Sequence, residues 1–390
     1  FARLFSGIAT QKDVDGRFFG KVLPFQGKIS FGGDVVMRAN SRLPSYWLSR
    51  TYSEYTAKGW IAGESRRQQI GDEALPPPQE SVSRLPTSQT VEVAFETDNL
   101  FTGGNLGWVS RPAVVETLAP MSFEIDLLDS SGDESFPEEI QGLARRLRDV
   151  DLRSPATALG QISRMVPSDM VLTGPPSASV EEFGQTLNKV VVERKDPLFP
   201  DVVMWRFQEP LAEADSYVLS SLVSLATDND LREADGRYGG FIKDHYLQVP
   251  PSLPQRVRDL AVDLTRGEAT VLDKALALQD YLRGDPFEYS QDIRKPPQDA
   301  DGVDYFLFET QEGYSDYYAS AMTVMLRTVG VAARLAAGYA PGESTGSQSR
   351  LREIKDSDSH AWTQVYFPGH GWLDFEPTPE WPAPDRSGAG

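Results

Sequence analysis

The stretch that most limits what this chain can become is Ser359-His-Ala-Trp-Thr-Gln-Val-Tyr-Phe367, whose alternation resumes after a short break in Gly371-Trp-Leu-Asp-Phe-Glu-Pro-Thr378. A period of two puts His360, Trp362, Gln364 and Tyr366 on one face of a strand. In the second segment Trp372, Asp374 and Glu376 share a face opposite Leu373 and Phe375. The connection Pro368 to Gly371 is tight enough to predict an antiparallel hairpin. Upstream, Glu312-Gly-Tyr-Ser-Asp-Tyr-Tyr-Ala-Ser-Ala-Met322 is a glycine-bearing turn running into a helix, with apolar residues at Tyr318, Ala319, Met322, Met325, Leu326 and Val329.

Three side chains in this region carry chemistry. Ser315 falls at or near the helix N-cap, where unpaired N–H groups and the positive end of the dipole favour a developing anion. Serine is also a preferred cap for structural reasons alone. His360 on the first strand and an acid on the second, Glu376 or Asp374, can meet across the hairpin. Each has a bland reading by itself; the order helix-start nucleophile, strand histidine, neighbouring acid is what points to a catalytic set. The chain has no cysteine, which excludes disulfides, thiolate metal sites and a cysteine nucleophile. Its three histidines, His245, His360 and His370, lack zinc-site spacing, so no metal is expected.

A length of 390 residues exceeds one comfortable core, at roughly 100–200 residues per domain. The first hundred residues alternate short β-rich runs with Gly/Pro turns, as in Val91-Glu-Val-Ala-Phe95. Ile140, Leu143, Leu147 and Val150 then recur at helical spacing, predicting a helical insertion near 137–180. Val190 to Glu193, Val202 to Phe207 and Tyr217 to Val223 return to strand composition. Pro254 to Leu282 reads as a helical hairpin turning at Leu264-Thr-Arg-Gly267. The expected division is a β-rich N-terminal module, 1–244, and a catalytic domain, 245–390. The acidic run Glu124 to Glu139 lacks EF-hand ligand spacing and reads as a solvated surface. A net charge of −19 argues against nucleic acid as a partner. No window approaches the roughly 20 apolar residues of a membrane span. The start at Phe1 reads as a segment of a longer protein.

Taken together, Gly313-Tyr-Ser-Asp-Tyr-Tyr-Ala319, Arg327-Thr-Val-Gly-Val-Ala-Ala-Arg334 with Gly338-Tyr339, His360-Ala-Trp362 and Gly371-Trp372 followed by Glu376-Pro-Thr378 resemble the successive motifs of the transglutaminase-like superfamily over roughly residues 305–380. Tyr246-Leu-Gln-Val-Pro250, Tyr305-Phe-Leu-Phe308 and Phe375-Glu-Pro-Thr-Pro379 resemble its bacterial membrane-anchored TgpA-type branch.

The resemblance implies a papain-like α+β domain with a Cys-His-Asp triad acting on glutamine carboxamides or peptide bonds, with an amine or water resolving the acyl-enzyme and no cofactor. It implies an extracytoplasmic position on a bacterial membrane, with flanking transmembrane segments. The triad maps onto Ser315, His360 and Glu376, with Asp374 as second choice for the acid. Tyr314, Trp362, Trp372 and Arg334 map to the substrate cleft. The backbone N–H of Ser315 is the expected oxyanion donor; a second donor is unassigned.

Serine at the nucleophile position departs most from the pattern. A thiol with a pKa of about 8.5 can be held as a thiolate by a neighbouring imidazolium, whereas an alcohol must lose its proton during attack. The site as given is therefore expected to be almost inactive, whether the serine was introduced to silence an enzyme or is natural. A natural Ser315 leaves two alternatives, a binding domain for peptide or cell-envelope components and a serine hydrolase.

Overall fold

A computed structural model describes residues 19–43, 45–70, 84–181, 184–346 and 349–386. Compactness does not divide the chain at residue 245. One unit takes in the residues up to Leu118, Leu198–Tyr238 and everything from Tyr246 on; the other takes in Ala119–Pro197 and Gly239–His245.

The reason lies in one sheet of the first unit. It contains strands β1 (Trp47–Tyr52), β2 (Val202–Leu211), β3 (Ala333–Tyr339), β4 (Ser359–Phe367) and β5 (Gly371–Phe375), in the antiparallel order β5-β4-β3-β1-β2, continued by Ala113–Leu118 and Ser65–Ile70. Strands from the expected N-terminal module thus complete the sheet that carries His360. The β3–β1 register slips between Ala337 and Gly338. Only glycine fits there, because a Cβ on Gly338 would lie 2.0 Å from the Trp47 carbonyl oxygen. A second sheet runs through Leu351–Lys355, Val35–Ser41, Arg84–Val93 and Ser216–Ser224.

The helical hairpin forms where the spacing predicts it, as α1 (Gln255–Leu264) and α2 (Val271–Arg283). Gly267 turns the chain at φ 96°, and Thr270 caps α2 by accepting from the Asp273 N–H at 3.1 Å. Both helices pack on α3 (Ser315–Thr328). The apolar stripe read from sequence understates α3, which is buried on nearly every side, its polar residues included. Several of these polar groups are paired locally. Ser320 Oγ donates to the Asp316 carbonyl at 2.5 Å and accepts from Trp60 Nε1 at 2.8 Å. Thr323 meets Thr363 of β4 at 3.2 Å. Arg327 donates to the carbonyls of Ala333 and Gln248 at 2.8 and 3.0 Å, and burial pushes its pKa down to about 9.

The second unit is a three-stranded antiparallel sheet, Ser122–Asp126, Gly184–Arg194 and Met170–Glu181, with helices Glu138–Arg148 and Pro155–Met165. Ile140, Leu143, Leu147, Ile162, Val190 and Val192 form its core. The acidic run is held by its own turns: Asp126 accepts from the N–H groups of Leu128 and Asp129, and Asp133 pairs with Arg148 at 2.5 Å. Among the described residues, no helix is long and apolar enough to cross a membrane.

Candidate active site

Tyr314, extended at φ −107° and ψ 178°, occupies the N-cap of α3, and Ser315 is the first helical residue. Ser315 therefore lies next to the cap, at the start of the helix. Its hydroxyl accepts from the backbone N–H of Ala361 at 3.2 Å, which pins the helix start to the residue beside His360. Ser315 and His360 are both buried, 4 % and 3 % exposed.

The hairpin of β4 and β5 pairs Thr363 with Phe375, Gln364 with Asp374 and Tyr366 with Trp372. The ladder stops at Phe375, because Pro377 has no N–H and restricts the residue before it. Glu376 is the residue just past the strand, and its contacts decide between the two acids. Glu376 Oε2 lies 2.6 Å from His360 Nε2. Asp374 stays in the ladder and accepts from Trp362 Nε1 at 2.7 Å and Gln364 Nε2 at 2.8 Å.

Glu376 is wholly buried, and its surroundings are built for a charge. The Thr378 N–H donates to Oε1 at 2.8 Å, Tyr46 O–H to Oε2 at 2.7 Å, and the Glu376 N–H is taken by Gln279 Oε1 at 3.1 Å. Desolvation works to raise the carboxyl pKa. The charge of His360 and the hydrogen bonds from His360, Tyr46 and Thr378 outweigh it and hold Glu376 below the usual glutamate range. Arg283, at the end of α2, donates to the carbonyls of Glu376, Thr378 and Trp381 at 3.0, 2.7 and 2.9 Å and shapes the segment after the strand.

The four residues mapped to the substrate cleft each have partners within the fold. The Tyr314 hydroxyl donates to the Gln26 carbonyl at 3.4 Å, and the side chain is buried. Trp362 is core, stacked on Tyr46 within a cluster with Ala336 and Ala340. Arg334 pairs with buried Asp201 at 2.7 Å, donates to Gln364 at 2.8 Å and lies 4.2 Å over the Trp372 ring. A buried guanidinium needs its acid, and Asp201, from the other half of the chain, supplies it. Tyr46, Gln279, Arg283 and Trp381, whose ring lies 4.7 Å from that of His360, escape sequence reasoning. They carry no motif and, in the case of Tyr46, lie hundreds of residues away.

Residues 258–377 match the family model for the transglutaminase-like superfamily. This segment is a transglutaminase-like domain. It begins at α1, upstream of the motifs that carry the resemblance, so the helical hairpin belongs to it. The chain is 44 % identical over 139 residues to the uncharacterized protein YebA of Bacillus subtilis, covering 35 % of this chain and 19 % of that protein. It is 38 % identical over 140 residues to a protein-glutamine gamma-glutamyltransferase of Pseudomonas aeruginosa, covering 36 % of this chain and 20 % of that one. The matched stretch thus spans about a fifth of the length of these relatives. The crystal structure of the periplasmic domain of TgpA from Pseudomonas aeruginosa shares the fold, with a TM-score of 0.52 and 17 % identity over 92 % of this chain and 93 % of that one.

Proposed function

We propose that the transglutaminase-like domain is built for acyl transfer or hydrolysis at amide groups of proteins or peptides, with residue 315 in the nucleophile position, His360 as base and Glu376 as the acid that orients and charges it. The observation that carries this reading is the buried His360–Glu376 pair at 2.6 Å, set beside Ala361, whose N–H donates to the Ser315 hydroxyl.

In this reading the nucleophile adds to the amide carbonyl and its proton passes to the imidazole. The backbone N–H of Ser315 faces the oxyanion, and the positive end of α3 favours that charge. The imidazolium then returns the proton to the departing amine, leaving an acyl-enzyme. A primary amine resolves it by forming a new amide, or water by hydrolysis. Glutamine-bearing protein is the proposed acyl donor, because the Pseudomonas aeruginosa relative is named a protein-glutamine gamma-glutamyltransferase. The fold shared with a periplasmic domain supports a position outside the cytoplasm.

Ser315 supports an almost inactive form. Its hydroxyl is engaged by the Ala361 N–H, and an alcohol gains little from a standing imidazolium. The test is Ser315→Cys, assayed for amine incorporation into a glutamine substrate, for deamidation and for peptide cleavage. Appearance of any one in Ser315→Cys, and its loss on adding His360→Ala, is the expected result. Silence in all three across a broad substrate panel overturns the reading in favour of a binding domain.

A further inference from the structure

Tyr46 stands just ahead of β1 and 330 positions before Glu376, outside the segment that matches the family model. Its hydroxyl donates to Glu376 Oε2 at 2.7 Å, the same oxygen that lies 2.6 Å from His360 Nε2. Its ring stacks on His360, with centroids 5.7 Å apart and planes 14° from parallel, and on Trp362 at 4.8 Å and 26°. One side chain therefore touches both members of the pair, the acid through its hydroxyl and the base through its ring face.

Glutamate has one more rotatable bond than aspartate, so a glutamate in this role must be fixed more firmly. Both carboxylate oxygens are in fact engaged, Oε1 by the Thr378 N–H and Oε2 by Tyr46 and His360. We propose that Tyr46 is a positioning residue for the His360–Glu376 pair, its ring the floor on which the imidazole rests and its hydroxyl the donor that keeps the carboxylate aimed at Nε2. This rests on the acyl-transfer reading above and deepens it: the site is completed by a residue from the far end of the chain.

The hydroxyl also bears on protonation. A carboxylate that loses a donated hydrogen bond ionises at higher pH. Other charged or titratable groups face the trio: Arg283 and Asp374 act on Tyr46, Tyr289 faces Glu376, and Asp358 faces His360. None of these is altered by Tyr46→Phe, which keeps the ring and removes only the hydroxyl.

The experiment compares Ser315→Cys with the same protein carrying Tyr46→Phe or Tyr46→Leu, reading the rate at which iodoacetamide alkylates the new thiol between pH 3 and 9. The thiolate displaces iodide, so the rate reports the thiolate without needing a substrate. In Ser315→Cys a rate plateau extending well below the ordinary thiol range is expected, falling on the acid side as Glu376 is protonated and the imidazolium loses its counter-charge. Tyr46→Phe is expected to move that acid limb up by about one pH unit while leaving the thermal midpoint nearly unchanged. An unmoved limb in Tyr46→Phe overturns the proposal and leaves the catalytic reading standing. A thiol that alkylates like free cysteine already in Ser315→Cys sinks the catalytic reading, and the Tyr46 role with it. Tyr46→Leu, which removes ring and hydroxyl together, is expected to lower the plateau as well; should it fail to fold, Tyr46→Phe still decides.

Discussion

Arg283 donates to the main-chain carbonyl of Glu376 at 3.0 Å, so the last residue of a helix holds in place the acid that meets His360. The same nitrogen reaches the carbonyls of Thr378 and Trp381. Arg283→Ala removes all of these bonds at once, and charge-assisted hydrogen bonds contribute about 1.5–3 kcal/mol each at most. A loss of about 2–3 kcal/mol in urea unfolding is expected, together with a drop in any Ser315→Cys activity larger than Arg283→Lys causes.

Glu376 and Asp374 are two residues apart but have different partners. In the Ser315→Cys background, Glu376→Gln is expected to lower kcat/KM on the order of 10³-fold, since an amide can neither balance an imidazolium nor enforce its tautomer. Asp374→Asn keeps an acceptor for Trp362 and Gln364 and is expected to change kcat/KM by less than about tenfold. Steady-state kinetics on the two variants side by side would reverse this assignment if Asp374→Asn proved the more damaging.

The depressed pKa of Glu376 fixes the sign of a pH effect. Its stabilising contribution is present above the ordinary glutamate value of about 4.3 and is lost as pH falls through the lower folded value. Urea midpoints measured between pH 6 and pH 3 should therefore fall less steeply in Glu376→Gln than in the parent. An equal or steeper fall in the variant contradicts the depressed pKa.

Trp60 Nε1 and Ser320 Oγ join the N-terminal half to α3 at 2.8 Å, both buried. Ser320→Ala strands an indole N–H away from water, and a loss of about 1–3 kcal/mol is expected. Chemical denaturation reads it directly. Thiol reactivity at residue 315 in the Ser315→Cys background should stay unchanged, which separates support of the fold from support of the site.

A fragment of residues 245–390 lacks β1, the neighbour of β3 in the middle of the sheet. It should expose the ladder edge of β3 and be unfolded or aggregated, whereas the full chain is expected to be folded and monodisperse. Circular dichroism and size-exclusion chromatography of the two proteins provide the comparison.

How much of this was legible beforehand follows the range over which each signal acts. Local periodicity located α1, α2, α3, β4 and the turn before β5, because helical spacing and alternation are properties of adjacent residues. His360 and Glu376 were legible as partners because a hairpin brings near neighbours together. Alternation put Glu376 on the face toward His360, and the contact forms just past the end of the ladder. The strand pairings across residue 245 were not legible: β1 and β2 look like any other strands, and nothing in a strand's composition says which distant edge it will join. Arg334 shows the same blindness, since its counter-charge Asp201 lies on the far side of that boundary.

The placement of β1 also sets a timetable. Tyr46 and Glu376 are 330 positions apart, and synthesis at about 5–20 residues per second separates their appearance by tens of seconds. Throughout that interval β1 waits without β3, and Tyr46 has neither imidazole nor carboxylate beside it. The proposed centre therefore comes together only when β4 and β5 arrive and the sheet closes on β1.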